Sequence, residues 1–457
     1  MTAPVRIVGG GLAGAECAYQ LASRGVPVVL DEMRPKKSTP AHKTGRLAEL
    51  VCSNSLRSDD PYHAAGLLKR EMEGFGSLII AAARGAAVPA GSALAVDRHR
   101  FAEHVTSTLE GLDRLDIRRR EATEIPQGDV VLATGPLTSE AMSEALAALL
   151  GSEHLYFYDA MAPIVDGESL DMAKLFWGSR YGKGGQDYLN APMTRQEYLA
   201  FHQTLVEAEV MPLHDFETAL FFEGCLPIEE LARRGVDTLR YGPMKPVGLT
   251  GPKGQQPYAV VQLRQENLAR SHFNLVGFQT RMKWPEQKRA LRMIPGLGRA
   301  EFVRMGQIHR NTFVNAPIHL DRFYRLRGAP RVRLAGQITG VEGYLESAAT
   351  GMVIALYLAL ERQGRQPEAL PATTALGALA RHLTESDAKH FQPANINYGL
   401  FPELEERLPK KLRRRAYVER AWRELEAWAE RQRLPFERLR SPFSSPTVKA
   451  GSLLCAS

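Results

Sequence analysis

The sequence predicts an α/β fold: a doubly wound, Rossmann-type domain, split in sequence, with an α+β domain inserted between its halves. Three observations predict it. A short apolar run, Val5-Arg6-Ile7-Val8, leads into Gly9-Gly10-Gly11-Leu12-Ala13-Gly14, which has the spacing G-x-G-x-x-G. A second strand signal, Val26 to Leu30, ends in the acids Asp31-Glu32. Far downstream, Arg331-Val332-Arg333-Leu334-Ala335-Gly336 again reads as a buried strand running into glycine.

Each element has a local reason. Between Gly14 and the second strand, Ala15 to Ser23 is a run of small and helix-forming residues. In such a strand–turn–helix the glycines allow a tight turn and close backbone approach, and the helix N-terminus faces a pyrophosphate. An acid about 20 residues on holds the ribose hydroxyls. Glu32 lies 18 residues past Gly14 and fits that role better than Asp31. A glycine-rich turn without a ligand is the plain alternative; the two flanking strands and the spaced acid argue against it. The predicted cradle is therefore Gly9, Gly10, Gly11, Leu12, Ala13, Gly14 and Glu32.

Val130-Val131-Leu132-Ala133-Thr134-Gly135-Pro136 reads as a strand entering an A-T-G turn typical of flavoproteins of the glutathione-reductase type. FAD is then the expected dinucleotide, with Thr134 and Gly135 beside it. Asp97 and Arg98 follow a strand and are read either as contacts to the ADP moiety or as a surface ion pair. After Gly336, the segment Gln337 to Gly343 leads into a predicted helix, Tyr344 to Arg362. This second strand–turn–helix looks like the other half of a flavin site, a helix N-terminus aimed at the flavin. Gly336, Gln337, Gly340, Gly343 and Tyr344 are its candidate contacts.

Between these halves, from about Asp159 to Arg310, strands are punctuated by Gly, Pro and aromatics, with helices predicted near Thr194–Glu209 and Trp284–Met293. The expected boundaries are 1–160 for the first part of the FAD-binding domain, 161–310 for the insert and 311–440 for the second part with C-terminal helices. A Pro-bearing link near 365–371 precedes those helices, the last running from about Leu404 to Gln432. On it Tyr417, Ala421, Leu425 and Trp428 recur at helical spacing, the pattern of a packed face that leaves Arg413 to Arg415, Arg420 and Arg423 exposed. The Ser/Pro-rich tail, 441–457, is expected to be disordered.

Composition bounds the function. The chain has 457 residues, 44% hydrophobic and 24% charged, as in an ordinary globular protein. Its longest apolar runs are far short of the roughly 20 residues a bilayer requires, and no signal peptide precedes Val5. A cytoplasmic location is expected. Cys17, Cys52, Cys225 and Cys455 show no CxxC and no metal-ligand spacing, so reduced thiols and no metal site are expected. Residues 231–310 carry 15 Lys/Arg against 4 Asp/Glu, and residues 410–440 carry 11 against 5. Two basic segments on an otherwise acidic chain suggest a polyanionic partner, with a merely solvated basic surface as the bland reading.

Motifs spread along the chain then become specific. Besides the glycine fingerprint they are Glu32-Met33-Arg34-Pro35, Glu49-Leu50-Val51-Cys52-Ser53-Asn54-Ser55-Leu56-Arg57, Ala95-Val96-Asp97-Arg98 and Tyr156-Phe157-Tyr158-Asp159-Ala160. They continue in Phe222-Glu223-Gly224-Cys225-Leu226-Pro227, Gly242-Pro243-Met244-Lys245-Pro246, His309-Arg310-Asn311-Thr312, Gly336 to Tyr344 and Asn395-Ile396-Asn397-Tyr398-Gly399. With these the chain resembles the folate- and flavin-dependent tRNA (uracil-5-)-methyltransferases, the family called TrmFO, over nearly its whole length to about residue 435. Departures are small: Ala15 and Cys17 stand in the first helix where Ser and Ala are commoner, and Ala394 where Met is usual.

The resemblance implies an enzyme that makes ribothymidine in the T-loop of tRNA. It implies FAD as carrier, 5,10-methylenetetrahydrofolate as carbon donor and NAD(P)H as reductant, with no membrane and no obligate protein partner. The chemistry asks for two groups. C5 of uracil becomes nucleophilic only after a thiolate adds to C6, and a base must later take the C5 proton. Cys52 and Cys225 sit in polar or glycine-flanked loops, unlike an inert core cysteine. The assignment is Cys225 as nucleophile and Cys52 as the partner near the flavin, the two roles being exchangeable at this stage. Cys17, on an alanine-rich helix, reads as a buried small residue, and Cys455 lies in the tail.

Lys245, His309, Arg310 and Asn311 are candidate holders of tRNA phosphate or of the folate glutamate tail. Phe273, Phe278 and Trp284 interleave with Arg281 and Lys283, which suits base stacking or, equally, the core of the insert. Three other readings stand beside the methyltransferase. One is the related flavin- and folate-using tRNA wobble-uridine modification protein, which normally carries a further helical domain that this chain is too short to include. The others are a plain NAD(P)H:flavin oxidoreductase, which leaves the basic insert unexplained, and a non-catalytic RNA-binding flavoprotein.

Overall fold

The computed structural model describes residues 3–39, 41–151, 155–182, 185–211, 226–251, 254, 256–306, 308–406 and 408–437. Val5–Val8 sits within a six-stranded sheet in the order Arg325–Leu326, Ala329–Leu334, Val130–Leu132, Val5–Val8, Val28–Glu32, Leu115–Arg119. All neighbours are parallel except the first pair. Strands buried on both faces read as continuous apolar runs, and Val28–Glu32 is buried along its whole length. That strand starts two residues later than the apolar pattern suggests. Pro27 has no N–H for a ladder and instead offers its carbonyl to the Val5 N–H, 2.9 Å away. The two sequence halves meet inside this sheet, where Val332 is in register with Val130.

The first helix, Leu12–Ser23, opens on Gly11 and takes Gly14 into its first turn. It packs against Tyr344–Arg362, a helix buried continuously from Leu345 to Leu360. Burial on every side accounts for its lack of a polar stripe. A three-stranded antiparallel sheet (Ser55–Ser58, Ala93–Val96, Ala87–Val88) lies nearby in sequence and carries the loop discussed below.

A second six-stranded sheet is wholly antiparallel, in the order Phe176–Gly178, Tyr188–Met193, Ala259–Gln265, His272–Leu275, Ile164–Asp166, Phe302–Arg304. Helix Arg195–Glu207 covers part of it, started by a capping box in which Thr194 and Glu197 satisfy each other's backbone N–H groups. Phe273 and Phe278 are 3% and 0% exposed within this core, so of the two sequence readings the packing one holds for them. Trp284, at the start of helix Trp284–Leu291, is 56% exposed. Between the two large sheets the chain crosses as a ribbon, Leu155–Ala160 paired antiparallel with Ile308–Phe313.

The last described helix is Lys410–Arg431, capped by Pro409 rather than starting near Leu404. A proline biases its predecessor away from helical backbone, which fixes the later start. Tyr417, Ala421, Leu425 and Trp428 are all buried, and Trp428 meets the rings of Phe75 and Tyr357 edge-on. Arg413 to Arg415 and Arg423 are exposed, but Arg420 corrects the expectation. Its guanidinium donates to the carbonyls of Pro402 (2.6 Å) and Glu403 (2.8 Å) and so tacks an irregular loop onto the helix. The expectation of a disordered tail falls outside the described residues.

Buried carboxyls close several helix ends. Glu71, 0% exposed, accepts the N–H groups of Ala375 (2.8 Å) and Leu376 (2.9 Å) at the start of Ala375–Glu385. Burial pushes its carboxyl from an ordinary 4.5 up to about 8, against the pull of those two N–H groups. The folded state thus holds this proton more tightly than the unfolded chain does. The resulting stabilisation is present in full below about pH 4.5 and drains away as pH rises toward about 8. Glu71→Gln, which cannot titrate and loses one acceptor, is expected to lower stability by about 1 kcal/mol at low pH. It should also flatten the decline between pH 5 and 8, as read from urea unfolding midpoints across that range.

A dinucleotide cavity beside a clamped thiol

Where the parallel strands end, a cavity of about 150 Å³ opens. Ligands in doubly wound sheets bind beyond the carboxyl ends of the strands, where the order reverses. Of the residues expected to hold a cofactor, Gly9, Gly11, Leu12, Ala13, Glu32, Thr134, Gly135, Gly336, Gln337 and Tyr344 line it. Asp31, Met33, Arg34, Glu49 and Val51 also line it. Gly10 and Gly14 shape the turn from behind.

The turn has its own requirements. Gly9 has φ +101°, and a Cβ there would stand 2.4 Å from the Ala133 carbonyl oxygen. A Cβ on Gly14 would meet the Gly9 carbonyl oxygen at 1.9 Å. At Gly11, by contrast, a Cβ would meet nothing within 4 Å, since that side is the cavity. No side chain caps the first helix at this end, so its N-terminus is left to a ligand.

Glu32 is held by three donors. Its Oε2 accepts the Gly10 N–H at 2.7 Å, and its Oε1 accepts the backbone N–H (2.9 Å) and Nε–H (2.8 Å) of Arg34. Burial pushes its carboxyl up, but the Arg34 hydrogen bonds and charge outweigh that and hold it below the usual range. A carboxylate offers about four acceptor positions, so one on Oε2 remains for a ribose hydroxyl. Asp31 is instead consumed by Arg6 and Arg120. The spacing argument for Glu32 over Asp31 thus has a structural counterpart. Turn, helix end, open Gly11 face and anchored acid together fit a dinucleotide.

Cys52 does not itself line this cavity but follows its lining residue Val51 and bonds to its lining residue Tyr344. Its N–H donates to the Tyr344 hydroxyl at 2.6 Å, across 292 residues of sequence. Its carbonyl accepts Arg304 Nη2 at 2.6 Å, while Arg304 Nη1 reaches the Val51 carbonyl at 2.8 Å. Burial, with the nearby Cys52 sulfur second, pushes the Tyr344 hydroxyl far up, so it stays protonated. Asn54 is wholly buried: its amide donates to Val96 O and Gln265 O and its oxygen accepts Arg264 Nε at 2.8 Å. Burial draws the Arg264 and Arg304 guanidiniums down, and a Cys52 thiolate would draw both back up. Those two cations favour the thiolate in return.

Arg98 departs from the sequence reading. It does not line the cavity but pairs with buried Glu266, Nε to Oε2 at 2.8 Å, and donates to Leu50 O at 3.0 Å. The ion-pair alternative is closer to what is found, although the pair joins two sheets rather than lying on the surface. Asp97 caps helix Arg98–Glu110 through the His99 and Arg100 N–H groups. Gly340 and Gly343 lie outside the lining, their Cα faces turned to Phe391 and to Glu346. Lys245 lies far off in the second sheet's periphery, 5.7 Å above the exposed Tyr181 ring and one turn from Tyr241, which is 79% exposed. His309, Arg310 and Asn311 pair in register with Asp159, Tyr158 and Phe157, and their side chains fall outside the described part. Cys225 also lies outside it. Cys17 is 0% exposed, and burial pushes its thiol up, as expected of a core residue.

Sequence reasoning missed Arg304 and Arg264, which act from the insert on a loop some 200 residues earlier, and Glu266, which pairs with Arg98. Only the clustering of basic residues in that segment hinted at them. Among the described residues no group of His, Cys, Asp or Glu has the arrangement of a metal site, and no helix is long and apolar enough to cross a membrane. Gly11→Val tests the cavity directly. Its Cβ meets nothing within 4 Å, and the side chain is added on the cavity side. Thermal stability of ligand-free protein should change little, while dinucleotide released on heating the purified protein should fall to background. Gly14→Ala should instead impair folding itself.

The glucose inhibited division protein A family model matches residues 4–366. A methylenetetrahydrofolate–tRNA-(uracil-5-)-methyltransferase TrmFO of Geobacter sulfurreducens is 56% identical over 431 residues, covering 94% of this chain and 99% of that protein. The TrmFO of Enterococcus faecalis is 54% identical over 92% of this chain and 97% of its own length. Among solved structures, Aquifex aeolicus GidA superposes with a TM-score of 0.65 at 17% identity, covering 94% of this chain and 75% of that one, and so shares the fold. By its identity with these relatives over nearly its whole length, the chain belongs to the TrmFO family, within the wider glucose inhibited division protein A group.

Proposed function

We propose that this protein methylates C5 of a uracil in tRNA, taking the carbon from methylenetetrahydrofolate. One observation carries the reading: relatives bearing that activity in their names align at 53–56% identity along more than nine-tenths of the chain. The site supports it. Glu32, the Gly9–Gly14 turn, Thr134, Gly135, Gly336 and Gln337 would hold FAD. When bound and reduced, with NAD(P)H as the electron source, FAD supplies the one-carbon transfer and the hydride equivalent that make the unit a methyl.

The chain's own residues handle the pyrimidine. One cysteine thiolate, Cys225 in our assignment, adds to C6, and its electron pair passes through the ring to make C5 a carbon nucleophile. After C5 gains the carbon, a base removes the C5 proton and the C6–S bond breaks, restoring the ring. Cys52 suits the base: its main chain is held on both sides next to the cavity-lining Val51, and two buried guanidiniums favour its thiolate. Lys245, with exposed Tyr181 and Tyr241, offers a cation and two rings of the kind that bind phosphate and unpaired bases. The solved Aquifex aeolicus GidA shares the fold alone, at 17% identity.

The test supplies NADPH-reduced protein with methylenetetrahydrofolate and unmodified tRNA. Methyl groups should appear in the RNA. Oxidase activity without RNA methylation would point to a flavin oxidoreductase and end the proposal. Cys52→Ala and Cys225→Ala should each lower transfer at least about a hundredfold while retaining flavin; full activity in either variant removes that residue from the scheme. Binding of tRNA should weaken about 10³-fold or more between 50 and 200 mM salt, as for several neutralised phosphates. Lys245→Glu should weaken it further at every salt concentration and reduce the slope of log affinity against log salt. Gel-shift titrations read both.

A further inference from the structure

We propose that Arg304 is a positioning residue for Cys52: reaching from the second sheet, its guanidinium grips two consecutive carbonyls of the thiol loop and so fixes the Cys52 backbone beside the cavity-lining Val51 and Tyr344. The inference deepens the proposed function, since it takes Cys52 to act in the transfer. Successive carbonyls of an extended chain point to opposite sides. Arg304 nonetheless takes both the Val51 carbonyl (2.8 Å) and the Cys52 carbonyl (2.6 Å) on one planar group. The loop must therefore bend at Cys52, and the fork specifies that bend. Nη2 also lies 3.5 Å from Ala162 O, where the chain enters the second sheet. From the opposite side, the Tyr344 hydroxyl takes the Cys52 N–H. Both backbone groups of Cys52 are thereby held, one from each domain's framework.

The arginine cannot be exchanged for another cation. A lysine is a point charge without a planar fork and cannot hold two divergent carbonyls in one geometry. It does preserve the positive charge near the sulfur. Arg304→Lys therefore separates position from charge, and Arg304→Met removes both.

The experiment follows the pH dependence of Cys52 alkylation by iodoacetamide in the flavin-bound protein, resolved by peptide mass, alongside kcat and KM for methyl transfer. In Arg304→Met the alkylation midpoint should rise by about one pH unit, with roughly tenfold slower modification at neutral pH. Its kcat should fall at least about tenfold, with KM for tRNA within about twofold. Arg304→Lys should keep the midpoint near the parent value yet lose kcat. An unchanged midpoint with unchanged kcat in Arg304→Met overturns the proposal, as does a rise in KM alone, which would make Arg304 a substrate-binding group. Should Arg304→Met fail to fold, full kcat in Arg304→Lys overturns it equally. The alkylation arm needs neither folate nor RNA, so its failure is distinguishable from failure of the methyltransferase reading.

Discussion

Two backbones touch at the centre of this molecule, and the rest of the site depends on that contact. A Cβ on Gly351 would lie 2.0 Å from the Ala13 carbonyl oxygen, so helices Leu12–Ser23 and Tyr344–Arg362 approach more closely than any residue but glycine permits. Ala13 belongs to the dinucleotide turn, and Tyr344 begins the partner helix. Closeness at Gly351 therefore sets how far Tyr344 stands from the turn, and so where the Tyr344 hydroxyl meets the Cys52 N–H. Sequence halves more than 300 residues apart are locked by van der Waals contact rather than by charge. Such contact is steep in distance, which suits a site whose reacting groups tolerate little displacement.

The second sheet is joined to this frame in a different way. Its ties are polar: Arg98 to Glu266, Arg264 to Asn54, Arg304 to the carbonyls of Val51 and Cys52. The last two end on the loop from Val51 to Asn54, and Arg98 reaches the same loop through the Leu50 carbonyl. Buried charges in such a place add little net stability, because desolvation offsets most of their attraction. Their geometric effect is larger. Each is directional and each is left uncompensated if the domains shift, so together they define one relative placement of the insert and the thiol loop.

The parts of this architecture that were legible in the sequence are those with local causes. Leu12, Gly14 and Glu32 could be placed because a tight turn needs glycines at fixed offsets and the acid follows from one crossover length. The bounds of Tyr344–Arg362 were readable because glycines precede it and an apolar run, Met352 to Leu360, fills its second half. The strand at Val28 was misplaced by two residues because its register follows the backbone donors available, which Pro27 alters, rather than hydrophobicity. Arg98, Arg304 and Arg420 were beyond reach for another reason. Each looks like a solvated cation in its own segment, and each finds its partner through tertiary register that no local pattern encodes.

The basic insert shows how far segment charge is from a charge map. Among the described residues of 231–310, Arg233 and Arg281 both meet Glu230, Arg240 meets Asp237, Lys283 meets Glu209 and Arg289 meets Glu286. Arg264 and Arg304 are turned inward toward the thiol loop. Exposed pairs of this kind are weak, and a polyanion can compete for their cations, so pairing does not abolish an electrostatic footprint. It does redistribute it. The same excess of arginine that would draw a polyanion in aggregate serves, residue by residue, to bind the insert together and to hold the Cys52 loop in place. A count of charges along the chain sees the first use and is blind to the second.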